Sequence, residues 1–256
     1  MMVTLNREVA IHFRDQIRHA RAAALKDAEA FEELVFVVER LGVYLTGSVE
    51  GLGDYRDTIV VQARRSPLAE EIPSELPQWH APFTKLYDLV QHARNDALHE
   101  GAFARHLTTH AIDLTIVLED ALIQDASQAR DFMVSDPLCA FPWQPISSIR
   151  RNLLANSFSY LPLAPDGMSA SQWKLVSDYS IASFLRAAPS GKERKMRLAC
   201  KLADALAAKM IALVDASMCQ SQDSIATVLS CCNSRPVLVI DEDKNLRGIV
   251  TPFDLL

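Results

Sequence analysis

The chain lacks any run of about 18 consecutive apolar residues, the minimum for a helix that crosses a membrane. Apolar residues make up 49% of it, but charged ones, at 23%, break them up throughout. No membrane partner is expected. Glycine is scarce, eight in 256 residues, and neither common type of glycine-rich phosphate loop is present. A Gly-x-Ser-x-Gly nucleophile turn is also missing. Paired cysteines at zinc-ligand spacing are absent: the five cysteines (139, 200, 219, 231 and 232) are odd in number, and the last two are adjacent. Reduced thiols in a cytoplasmic protein are the simplest expectation, with no metal site. The first residues, Met-Met-Val-Thr-Leu-Asn-Arg-Glu, lack a basic stretch followed by an apolar one, so no signal peptide is expected. An excess of positive charge is missing too. The formal net charge is −6, which disfavours non-specific binding to nucleic acid. The densest basic run, residues 191–197, reads as a solvated helix start.

What is there suits two domains of ordinary size. Residues 5 to 127 read as helical. Phe13, Ile17, Ala20, Ala24, Phe31, Val35 and Val38 recur at helical spacings, and so do Phe83, Leu86, Tyr87 and Val90. A further helix over about 102–124 carries Leu107, Ala111, Leu114, Leu118 and Ala121. That is close to a seven-residue seam, which suits a contact inside a bundle or between two subunits. Prolines at 67, 73, 77 and 82 mark a long connection between the helical stretches.

The character changes near Arg130, where short β-branched runs replace the long helices. Two similar halves follow. The first has a helix over 146–156, strands over 157–163 and 173–177, and a helix over 178–186. The second has a helix over 224–232, strands over 235–240 and 246–251, and a final step from Pro252. An internal duplication of a helix–strand–strand–helix unit explains both. A connecting helix is expected over 190–209. The fold class is therefore α+β: an all-helical bundle followed by β-α repeats with short sheets.

The segment 235–254 is the most informative. A buried-type strand (Val237 to Ile240) runs into an acidic turn (Asp241 to Asn245). A second strand (Leu246 to Val250) ends at Thr251-Pro-Phe-Asp254. Thr251 and Asp254 offer a hydroxyl and a carboxylate to something polar. The matching positions in the first half are Ser177 and Ser180. This pattern resembles a tandem cystathionine-β-synthase-type (CBS) module over about 128–256, with repeats near 130–187 and 210–256. The resemblance implies that the module binds an adenine nucleotide (AMP, ADP or ATP) as a regulatory ligand. Thr251 would meet a phosphate or the ribose, and Asp254 would accept the ribose hydroxyls, as a carboxylate can. Ser180 lacks the charge, so the second repeat should hold the competent site. Arg150 and Arg151 suit the surface better than a phosphate. The alternative for Thr251 and Asp254 is a cap on the last helix.

In the helical half the sequence Arg94-Asn95-Asp-Ala-Leu-His99 continues the stripe that ends at Val90. A guanidinium there faces the packed side of its helix and asks for an anion. The other Arg-x4-His pairs, Arg14/His19 and Arg105/His110, read as an edge position and a solvated one. Arg94, Asn95 and His99 resemble the Arg-polar-x3-His motif of the HEPN family, over about residues 1–127. That resemblance implies metal-independent cleavage of RNA at a dimer cleft, of a toxin-like or defence-related kind. His99 would act as base, Arg94 would hold the phosphate, and Asn95 would orient it. No cofactor would be required. The alternative pairs Arg94 with a core carboxylate such as Asp113, Glu119 or Asp120. Joining the halves predicts a homodimeric, nucleotide-regulated endoribonuclease. The other reading is a non-catalytic adenine-nucleotide sensor whose helical half dimerises or binds a partner. His106 and His110, at i, i+4 without the zincin glutamate, make a poor metal pair.

Overall fold

A computed structural model describes residues 5–27, 30–97, 104–164, 173–232 and 235–256, without the side chains of 95–97 and 104–106. The chain divides into two compact units, Met1–Ala126 and Ser127–Leu256.

The first unit is helical: α1 (Arg7–Lys26), α2 (Phe31–Thr46), α3 (Leu52–Ala63), α4 (Glu71–Glu75), α5 (Phe83–Ala97) and α6 (Ala104–Ile123). Asn6 caps α1 by accepting from the Val9 N–H at 2.9 Å. The proline-marked connection that follows α3 holds a 3₁₀ turn at Pro67–Ala69 and α4. Pro67 and Pro73 fall in first turns, where a missing N–H is harmless. Ala111, Leu114 and Leu118 of α6 are buried in one core with Ile17, Leu34, Leu41 and Ile59. The seven-residue seam is thus filled inside the unit. The helices approach closely at Gly42, where a β-carbon would lie 2.3 Å from the ring of the fully buried Tyr55.

The second unit is a duplication with exchanged edges. Its elements are α7 (Ala129–Phe132), β1 (Val134–Ser135), α8 (Ile146–Asn156), β2 (Tyr160–Leu163), β3 (Lys174–Ser177), α9 (Asp178–Arg186), α10 (Gly191–Ala199), α11 (Leu202–Ala207), β4 (Val214–Asp215), β5 (Ser217–Gln220), α12 (Ile225–Cys232), β6 (Val237–Ile240) and β7 (Leu246–Val250), closed by a 3₁₀ turn at Pro252–Leu255. One sheet runs β2-β3-β4, with Ala140 bridged in parallel to Leu163 at its edge. The other runs β1-β7-β6-β5, with β5 and β6 parallel. Each sheet therefore borrows its last strand from the segment that leads into the other repeat. β4 completes the first repeat's sheet at β3, and β1 completes the second's at β7.

The hydrogen bonds repeat in the same way. Ile146 N–H donates to Cys200 O (2.9 Å) and Leu202 N–H to Gln144 O (2.9 Å). In the other copy Ile225 N–H donates to Ser127 O (3.1 Å) and Ala129 N–H to Asp223 O (2.8 Å). Even the loop closures match: Phe141 N–H donates to the Gln144 side chain, as Gln220 N–H does to Asp223. Trp173, Leu175 and Leu238 pack the two sheets together, and the Trp173 indole donates to Lys244 O at 3.0 Å.

This topology corrects the single connecting helix expected over 190–209. The backbone is extended at Cys200 and Lys201 because Lys201 bridges to Pro145. Two helices result, and α11 opens the second repeat as α7 opens the first.

Candidate functional site

Thr251 and Asp254 lie where β7 ends. The Asp254 Oδ2 atom accepts from both the N–H and the hydroxyl of Thr251, each at 2.7 Å, and Asp254 N–H returns a bond to Thr251 O at 3.1 Å. This reciprocal cap opens the final 3₁₀ turn. Asp254 is 8% exposed, so a carboxylate is held almost out of solvent by donors from its own turn. The C-terminal end of α12 lies near it. Burial pushes the Cys232 thiol up, and the Cys231 thiol and the Asp254 carboxylate add to the effect.

Ser177 and Ser180 occupy the same place at the end of β3. Ser177 Oγ accepts from Ser180 N–H at 3.1 Å, and the Ser180 hydroxyl donates to Ser177 O at 2.8 Å. Both are buried. A hydroxyl thus stands where the carboxylate does, and the capping acceptor moves from the second member of the pair, Asp254, to the first, Ser177. The capping alternative is realised at Thr251 and Asp254, and the structure adds a cap at Ser177.

Between each pair stands an exposed aromatic ring, Tyr179 in the first repeat and Phe253 in the second. Both sit one residue before the second polar member of the pair. The parallel is visible in Ser-Asp-Tyr-Ser and Thr-Pro-Phe-Asp, and the sequence reading passed it over. Arg150 and Arg151 are exposed on α8. The basic run of residues 191–197 does more than face water. Arg194 donates to Leu185 O and Arg197 to Phe184 O, closing the last turn of α9. The Arg197 guanidinium also lies over the Phe184 ring, 5.2 Å from its centre.

In the helical unit the expected candidates look different. Arg94 is not a buried cation awaiting an anion. It is 44% exposed, and its Nη1 lies 2.8 Å from Oε1 of Glu39 on α2. None of the acids expected as its core partner is the one that serves. The side chain of Asn95 and all of His99 fall outside the described residues. Among the described residues the buried guanidinium is that of Arg14, only 2% exposed, which meets Asp15 through Nε (2.9 Å) and Nη2 (2.6 Å). Arg14 is not at the edge of the α1 stripe. It is four residues after Ala10 and three before Ile17, both buried. Arg18 and Arg21 on α1 both reach Glu119 on α6, which is 7% exposed. Among the described residues no group of three or more His, Cys, Asp or Glu side chains is placed to hold a metal ion. Nor is any described helix long and apolar enough to cross a membrane.

No family model matches the chain, and no curated protein matches it. Solved structures do. A protein described as the acetoin utilization protein AcuB from Vibrio cholerae is 14% identical, over 50% of this chain and 86% of that one, with a TM-score of 0.38. A CBS domain-containing protein of unknown function from Bacillus anthracis is 19% identical, over 50% and 88%, with a TM-score of 0.38. A hemolysin-like protein containing a CBS domain, from Oenococcus oeni, is 16% identical over 50% and 86%, with a TM-score of 0.37. At this distance the likeness carries no ligand, activity or partner over to this chain.

Proposed function

We propose that the chain is a regulatory protein without catalytic chemistry of its own. Its second repeat binds an adenine nucleotide, and its helical unit serves as a dimerisation or partner-binding bundle. The observation that carries this reading is the equivalence of the two strand ends, with a carboxylate at only one of them. Asp254 and Ser180 hold the same position in two copies of one motif. The first repeat closes its turn with a hydroxyl at that position, so the shared motif does not by itself require a charge at Asp254. A carboxylate that accepts vicinal ribose hydroxyls gives one. The resemblance of residues 235–254 to a nucleotide-binding module supports the choice of ligand.

The ribonuclease reading of the helical unit loses its physical premise. Arg94 was to hold a scissile phosphate because it lacked an anion, and Glu39 supplies one. The densest basic run, residues 191–197, has its two arginines engaged on α9.

Calorimetry on the full chain with AMP, ADP and ATP tests the proposal. One of them should bind, with one nucleotide per chain. Asp254→Ala should weaken binding by about tenfold, the scale of one charge-assisted hydrogen bond. Ser180→Ala should leave it unchanged. Flat titrations for all three nucleotides would sink the reading, and so would cleavage of labelled RNA that His99→Ala abolishes.

A further inference from the structure

We infer that the second repeat, rather than the first, reports to the helical unit, along β7, β1 and α7. The choice of nucleotide as the signal rests on the function proposed above; the route itself does not.

The route follows from the exchanged edges. β7 ends at Thr251 and pairs with β1, Val134 opposite Ile249 and Ser135 opposite Gly248. A β-carbon on Gly248 would lie 2.6 Å from the Met133 sulfur, so the segment ahead of β1 is pressed onto β7. α7 is held to the same repeat. Ala129 N–H donates to Asp223 O (2.8 Å) and Arg130 N–H to Ser221 O (2.9 Å), while Ser127 O accepts from Ile225 N–H (3.1 Å). Asp131, 1% exposed, ties the start of α7 by accepting from Ser127 N–H (3.0 Å) and Gln128 N–H (2.9 Å).

Immediately before this anchored segment comes α6, which ends at Ile123. α6 supplies Ala111, Leu114 and Leu118 to the helical core. A displacement of β7 has few residues over which to dissipate before it reaches a packed helix.

The first repeat has an equivalent device with a different outlet. β3, which ends at Ser177, pairs with β4, and α11 is held by Leu202 N–H to Gln144 O and Ala203 N–H to Pro142 O. That segment follows α10, inside the same unit. A displacement of β3 therefore passes first to elements of the duplicated unit itself. One motif therefore has two outlets, and the second is the one joined directly to the helical unit. A nucleotide moves this route only through unequal affinity for two arrangements of it.

Hydrogen exchange on the full chain, read by mass spectrometry, tests the route in two arms. The first needs no ligand. Thr251→Val loosens the second cap and should speed exchange over 129–135 by about threefold, with 202–215 unchanged. Ser177→Ala should do the reverse, and Thr251→Ser should behave as the parent. In the second arm a saturating nucleotide should slow exchange over 129–135 and the last turns of α6, and leave 202–215 alone. If Thr251→Val loosens 202–215 as much as 129–135, or leaves both untouched, the route is wrong. Should that variant fail to fold, a nucleotide that binds and protects only 202–215 overturns the route by itself. A chain that binds no nucleotide yet loosens as described retains the route and loses the proposed ligand.

Discussion

The helical unit matches charges side chain to side chain between helices, at a buried group and at a half-exposed one, although the buried Arg14 meets its own neighbour Asp15. Glu119 on α6 takes Arg18 and Arg21 from α1, and Arg94 on α5 takes Glu39 from α2. The duplicated unit treats buried polar groups differently. Asp131, Ser177 and Asp254 each accept backbone N–H groups at the start of a helix or turn, within four residues of themselves. The first arrangement couples distant helices, and at Glu119 losing the shared partner leaves two mostly buried guanidinium groups short of it. The second ends a strand and starts a helix at one point, and can be copied with the motif. That is how a duplication keeps its caps while one copy exchanges a carboxylate for a hydroxyl.

The sharpest way to break this contrast is Glu119→Gln. It leaves Arg18 and Arg21, only 20% and 15% exposed, without their charge partner. The helical unit should lose about 3 kcal/mol in urea denaturation, the scale for breaking a buried pair. A loss below about 0.5 kcal/mol would place the pair among surface ion pairs.

Next comes a difference between the repeats. Gly248 in β7 and Lys174 in β3 occupy equivalent positions opposite Ser135 and Asp215. One admits the edge strand by close approach under Met133; the other carries an exposed ion pair to Asp215. Gly248→Ala should cost about 2 kcal/mol by overpacking. Lys174→Ala should leave the melting midpoint where it is. Equal effects would mean that the two edges are held alike.

The smallest effect is a pH dependence in the helical unit. A hydrogen bond from Arg56 is the main cause that holds the Asp88 carboxyl below its ordinary value of 3.8. A depressed folded-state value contributes stability above the unfolded one and loses it as pH falls through the folded one. Wild type and Asp88→Asn should therefore differ at pH 7, with the gap beginning to close near the ordinary carboxylate range and closing only below the depressed folded value. Both groups are partly exposed, so the gap should be small and shrink with added salt. A gap that widens in acid would contradict the pairing.

Much of the duplicated unit was legible because its signals are local. The helix over 146–156, the helix over 178–186 and the strands on either side of Asp241 fall as their residues indicate. Asp241 closes the reversal by accepting from Asn245 N–H at 2.8 Å, four residues away. β1, β4 and β5 escaped notice. Two are only two residues long, and what makes them strands is a partner elsewhere in the chain. The arginines show the same divide. Arg94 follows Val90 at helical spacing, and that spacing says which way a side chain leaves its helix. It does not say that α2 brings Glu39 to the same spot. Arg14 had the better claim to burial, since its stripe runs through Ala10 and Ile17.

By itself the amino-acid order determined the two-unit plan, the repeated helix–strand–strand–helix pattern and the cap at Thr251 and Asp254. All of these depend on contacts between residues a few positions apart, which backbone geometry fixes. Tertiary structure alone decided that each sheet closes with the other repeat's leading strand, and that Glu39 neutralises Arg94. It also decided that Glu119 meets α1 from about a hundred residues away. Such contacts join segments whose separation along the chain carries no periodic mark, and they exist only once packing has chosen which helices and strands lie side by side.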